Sequence, residues 1–199
     1  MINLVVYIAF FILGGIPIAL LLKPNATVAN NDDKKIIVKQ SPITNAFVLT
    51  SILQFVLGYA ATIFARTFFY YESDSLFIGS LLVLIISHCW PIFNGFKKNS
   101  SPLLLITGVC CVFYTQFLWL IPLLFIVFSF LLNSQYISYF ACILSLLFVY
   151  LFIDNIPDSF LFLNLGIFII LVTLFYNHIF AAIEGKTITF IKQFNKRTN

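Results

Sequence analysis

Apolar runs recur along almost the whole chain, at residues 3 to 22, 46 to 65, 75 to 93, 102 to 118, 119 to 132, 136 to 153 and 159 to 180. A helix of about 20 apolar residues crosses the hydrocarbon core of a bilayer, and the connections between these runs leave no room for a separate soluble domain. Charged residues make up 9% of the chain, against roughly 25% in soluble domains. The expectation is an all-α, polytopic transmembrane helical bundle, with residues 1 to 199 forming one membrane domain that ends in a basic tail at 181 to 199.

The stretch from 102 to 132 is too long for one ordinary span and short for two. Pro122 and the polar-aromatic step from Gln116 to Trp119 offer places for it to turn. Basic residues decide the count, because Lys and Arg favour cytoplasmic loops. Apart from Arg66 they fall in three clusters: Lys23, Lys34, Lys35 and Lys39; Lys97 and Lys98; and Lys186, Lys192, Lys196 and Arg197. With all three clusters on the cytoplasmic side, residues 102 to 180 cross four times. That predicts about seven spans, with the N-terminus outside, the C-terminus cytoplasmic and the protein a multi-pass component of the cell (inner) membrane.

The four cysteines, Cys89, Cys110, Cys111 and Cys142, sit inside apolar runs without metal-type spacing, and read as small buried apolar residues. No metal or cofactor is expected. The first run lacks a basic leader and carries Gly14, Gly15 and Pro17, so it reads as a retained span. The tail spaces Ile183, Ile188, Phe190, Ile191 and Phe194 among lysines, which suits either a helix lying on anionic lipid or a plain topology-fixing end. Basic residues are spread over membrane-proximal segments without stacking aromatics in a solvated domain, so no nucleic acid partner is expected. Charges inside spans are nearly absent and no internal repeat is visible, which argues against a transporter or channel subunit.

One stretch carries chemistry. Ser87-His88-Cys89-Trp90-Pro91-Ile92-Phe93 ends the third run, and Lys97, Lys98, Ser100 and Ser101 follow it. His88 is the one candidate proton acceptor there, with an ordinary pKa of about 6.5, and it can equally serve as a hydrogen-bonded anchor of the span end. Lys97 and Lys98 can pair with a phosphate-bearing, membrane-associated substrate or act as the positive-inside signal alone. Ser100 and Ser101 can donate to phosphate oxygens, or cap the next helix with Pro102 at its first position. Ser87 adds a hydroxyl beside the histidine, a residue type common in helix packing.

These residues resemble the bacterial acyl-phosphate:glycerol-3-phosphate acyltransferases, small seven-span inner-membrane enzymes that make lysophosphatidic acid. Gly14-Gly15-Ile16-Pro17 is similar to the Gly-Ser-Ile-Pro signature that opens the family. Ser87-His88 through Pro91 and Phe93 to Phe96-Lys97 looks like its Gly-His, Pro, Phe pattern leading into a phosphate-binding loop. Gly58 falls where the family has a Lys-Gly pair. The resemblance implies transfer of an acyl group from acyl phosphate to glycerol 3-phosphate in phospholipid synthesis, without metal or covalent intermediate. It implies His88 as the catalytic residue, and Ser87, Lys97, Lys98, Ser100 and Ser101 as the substrate-binding set, with membrane lipids as surroundings.

Several positions depart from the family pattern. Lys98-Asn99-Ser100-Ser101 stands where the family has Gly-Gly-Lys-Gly, Gln54 stands for its Asp and Leu57 for its Lys, and only His178 and Glu184-Gly185 echo its last motif. A diverged member that no longer catalyses, and instead binds lipid or partners another membrane protein, is the alternative reading.

Overall fold

The computed structural model describes residues 2 to 16, 43 to 69, 74 to 96, 102 to 132, 134 to 152 and 157 to 183. Seven α-helices occupy them: α1 (Ile2–Gly14), α2 (Ile43–Phe69), α3 (Asp74–Cys89), α4 (Leu103–Cys111), α5 (Phe117–Leu132), α6 (Gln135–Phe152) and α7 (Asp158–Ile183), with a 3-10 turn at Ile92–Asn94. No strand occurs among the described residues. The order matches the seven expected spans one for one. The sequon at Asn25, the loop at 23 to 41, Pro17 and the tail from Glu184 onward lie outside the described residues.

Lengths differ more than the apolar runs imply. α2 and α7 include stretches long and apolar enough to cross a membrane, Val48–Phe69 and Asp158–Tyr176. α4 has 9 residues, about 13 Å of rise, and except for Leu104 all of it is buried. The ambiguous stretch breaks at residues 112 to 116, where Phe113 and Tyr114 both donate to the carbonyl of Cys110. Pro122, expected as a possible turning point, lies inside α5 instead. Proline is tolerated within a spanning helix because neighbouring helices and local adjustments re-satisfy the freed carbonyl. Pro102 stands one position earlier than expected, as the N-cap of α4, and its carbonyl accepts from the Ile106 amide at 3.0 Å.

Close backbone approach, rather than hydrophobic contrast, holds such helices together in lipid. A Cβ placed on Gly58 of α2 would lie 2.3 Å from the Leu105 carbonyl oxygen of α4, and one on Gly108 of α4 would lie 2.2 Å from the Phe55 oxygen of α2. The two glycines thus open the crossing from both sides. Around it, ring contacts tie the remaining helices. Phe160 of α7 stacks on Phe117 of α5 at 5.1 Å and meets Phe113 at 5.4 Å, and Phe113 reaches Phe77 of α3 at 5.7 Å. Tyr139 of α6 stacks on Phe175 of α7 at 5.3 Å and meets Phe125 of α5 at 4.8 Å. Cys89, Cys110, Cys111 and Cys142 are all buried and free, as expected, and Cys142 donates its thiol to the Ile121 carbonyl at 3.5 Å. The large aliphatic and aromatic side chains left exposed, such as Leu131, Phe130 and Phe152, are those a bilayer would solvate.

Buried hydroxyls follow the same rule. Thr62, Ser80, Ser87 and Thr107 each donate to a carbonyl one turn back in their own helix, at 2.7 to 2.9 Å. That is how a hydroxyl is satisfied where water is absent. Two residues depart from this: the Ser129 hydroxyl of α5 is buried without a partner, and Asn164 of α7 is fully buried with neither amide atom hydrogen-bonded among the described residues.

Candidate functional site

α1 and α3 run parallel, with Tyr7 donating to the Leu76 carbonyl at 3.4 Å toward their N-terminal ends and Gly14 meeting Leu84 and Ser87 toward their C-terminal ends. A Cβ on Gly14 would stand 2.0 Å from Ser87 Oγ and 2.3 Å from the Leu84 oxygen. Only glycine lets the end of α1 lie so close to the last turn of α3. The neighbouring Gly15 sits beside Ile92, whose Cγ2 would be 3.2 Å from an added Cβ. The glycine pair near residue 14 and the stretch from 87 to 92, far apart in sequence, therefore form one contact.

His88 is at the centre of that contact. It is 2% exposed and hydrogen-bonds the backbone of Gly14. The last carbonyls of a helix have no partner within it, and the ring N–H of His88 supplies one to the final residue of α1. A neutral imidazole that donates from one nitrogen keeps a lone pair on the other. Ser87, fully buried, gives its hydrogen to the Leu84 carbonyl at 2.9 Å.

Past Cys89 the chain turns sharply. Trp90 still donates to Ile86 at 2.9 Å, Pro91 leads the 3-10 turn, and Gly95 and Phe96 fold back on Ile92 and Pro91 with bonds of 3.1 and 3.0 Å. Gly95 is left-handed at φ 61°, and Phe96 follows at φ 56°. Phenylalanine rarely adopts this region, and such strain persists only where the surroundings impose it. Phe93 and Phe96 are exposed at the outside of the turn. Phe96 is the last described residue before Lys97; Lys97, Lys98, Ser100 and Ser101 lie outside the described residues, as do Glu184 and Gly185.

His178 belongs to the last turns of α7. Gln54 is buried on α2, one turn before Gly58, while Leu57 is partly buried. Sequence reasoning singled out Gly14 in the signature-like run Gly14 to Pro17 without its bond to His88, and gave no weight to Gly108 or Asn164. Gly108 interrupts an apolar run much as Gly58 does, the one signal that pairs them.

No family model matches the chain, and no curated protein matches it in sequence. Two solved structures share its fold. One is PlsY (YgiH), an integral membrane glycerol 3-phosphate acyltransferase, in its lysophosphatidic acid form, with a TM-score of 0.75, 18% identity and 95% of each chain covered. The other is PlsY in its glycerol 3-phosphate form, with a TM-score of 0.70, 18% identity and 96% of each chain covered. The chain has the PlsY fold, that of an integral membrane helical bundle, over nearly its full length.

Proposed function

We propose that the protein is a membrane acyltransferase that moves an acyl group from acyl phosphate to glycerol 3-phosphate, yielding lysophosphatidate and inorganic phosphate. The observation that carries this reading is a buried histidine, fixed by the Gly14 backbone at the end of α3. It stands just before a strained turn that a lysine pair follows in sequence, in a chain with the fold of PlsY.

In this reading the substrate hydroxyl attacks the acyl carbonyl, the new C–O bond forms, and the bond to phosphate breaks. His88 accepts the hydroxyl proton on the nitrogen that does not donate to Gly14, because the Gly14 bond sets which nitrogen carries the hydrogen. Lys97 and Lys98 supply the charge that holds the two phosphates, with Ser100 and Ser101 donating to their oxygens. Ser87, engaged with Leu84 and pressed on Gly14, holds the imidazole in position. The topology that fits places the N-terminus outside and this end of the bundle on the cytoplasmic side of the cell (inner) membrane.

A second reading rests on Gln54 and Leu57. They replace a charge pair of the family pattern with neutral side chains on the same helix as the Gly58 crossing, as expected of a relative that binds lipid or a partner protein without catalysis. Purified protein given palmitoyl phosphate and labelled glycerol 3-phosphate separates the two. Lysophosphatidate that disappears in His88→Ala supports the enzyme, and no product from folded protein with any acyl donor sinks it.

A further inference from the structure

At the end of the bundle opposite His88, the structure holds a cavity of about 330 Å³ walled by four elements. Arg66 and Phe69 come from the end of α2, Asp74 and Phe77 from the start of α3, Phe113 from the turn after α4, and Ser159 from the start of α7. Asp74 and His88 stand at the two ends of α3, about 20 Å apart by helical rise. The cavity therefore belongs to a different membrane face from the site already described.

Its charges select a ligand class. Arg66 is the one basic residue of the chain outside the three clusters at 23 to 39, 97 to 98 and 186 to 197. Asp74 lines the same cavity, and neither makes an ion pair among the described residues. A simple anion would meet Asp74, and a simple cation would meet Arg66. A molecule carrying both charges a few bonds apart is attracted by both, with the guanidinium forked onto phosphate oxygens and the carboxylate accepting from an ammonium group. The phenyl rings of Phe69, Phe77 and Phe113 are apolar walls that also favour a cation at their faces. On α2, Phe64 and Phe68 flank Arg66 and are exposed, an apolar surface along which acyl chains can lie.

The geometry points to a binding site for the headgroup of a zwitterionic, ammonium-bearing phospholipid in the leaflet away from His88. Arg66 holds the phosphodiester and Asp74 the ammonium. This site is independent of the acyl-transfer reading.

Native mass spectrometry of the full-length protein, released from detergent with equimolar phosphatidylethanolamine and phosphatidylglycerol, tests it. Wild type is expected to retain the ethanolamine lipid over the glycerol lipid by about tenfold, the worth of a charge-assisted hydrogen bond. Arg66→Ala should abolish retention of both, and Asp74→Asn should remove the preference while keeping some binding. Soluble glycerophosphoethanolamine should compete only at far higher concentration than the intact lipid. Equal retention of the two lipids by wild type, retention unchanged in Arg66→Ala, or displacement by the soluble headgroup at lipid concentrations would each overturn the proposal. Unaltered melting of both variants shows that the cavity, rather than the fold, has been changed.

Discussion

His88, in the last turn of α3, donates to the backbone of Gly14, the last residue of α1. One bond thus satisfies a helix terminus that lipid cannot and, at the same time, orients the imidazole. The same closeness that makes the bond forbids any side chain at Gly14, since Ser87 Oγ would be 2.0 Å from its Cβ.

Under the proposed acyl-transfer reading, replacing His88 by Ala should lower turnover by about 10²- to 10⁴-fold, the usual worth of a positioned general base. Insertion and folding should persist, so steady-state kinetics beside size-exclusion of the purified variant makes the check. Turnover at the wild-type rate would remove His88 from the chemistry.

Gly14→Ala should act on the same site by another route. The added methyl meets the Leu84 backbone as well as a hydroxyl, so α1 has to move away, at a cost of about 1 to 3 kcal/mol. The His88 bond goes with it. Lower thermal stability together with lower turnover is expected, whereas a variant that melts like wild type would contradict the packing described.

Gly58→Ala and Gly108→Ala should each destabilise the α2–α4 crossing by about 2 kcal/mol, because both methyls meet backbone oxygens that no rotamer can move. The pair should be non-additive: once one methyl has pushed the helices apart, the second has room. A double-mutant cycle in unfolding titrations measures that coupling, and strict additivity would argue against a shared contact.

Gly95 offers the contrast. Nothing lies within 4 Å of its would-be Cβ, so Gly95→Ala costs only the left-handed backbone, about 1 to 2 kcal/mol. Phe96→Gly should relieve comparable strain at φ 56°. Melting curves should therefore shift in opposite directions for the two variants, and a shift of the same sign would mean that the turn is held by something other than its backbone.

Asn164→Leu keeps the shape and removes two unpartnered polar atoms from the interior. Burying such groups costs about 1 to 3 kcal/mol on mutational scales, so the variant should unfold at a higher temperature. A drop in stability would show that the amide is engaged in the membrane-embedded protein.

The helices were legible because seven apolar runs each have to close their own hydrogen bonds in lipid. Their lengths were not, since hydrophobicity does not distinguish a buried nine-residue helix from the near end of a full span. Pro122 misled for a related reason: it breaks helices in water, but inside α5 its neighbours absorb the defect. At the site, Gly14 and the stretch from Ser87 were each recognisable, yet their contact depends on parallel packing of α1 on α3, which no local pattern encodes. The Arg66 cavity was visible only as an isolated positive charge, because its walls come from four separate elements.

α4 bears on how the chain reaches the membrane at all. Nine helical residues make too short a segment to partition into lipid unaided, and nearly every side chain they carry faces protein. α4 has to enter against partners already in place, and the glycine face of α2, made earlier during synthesis, is the surface waiting for it. Biogenesis is thereby ordered: a defect at Gly58 acts first on whether α4 finds its place in the bundle, ahead of anything the assembled protein does.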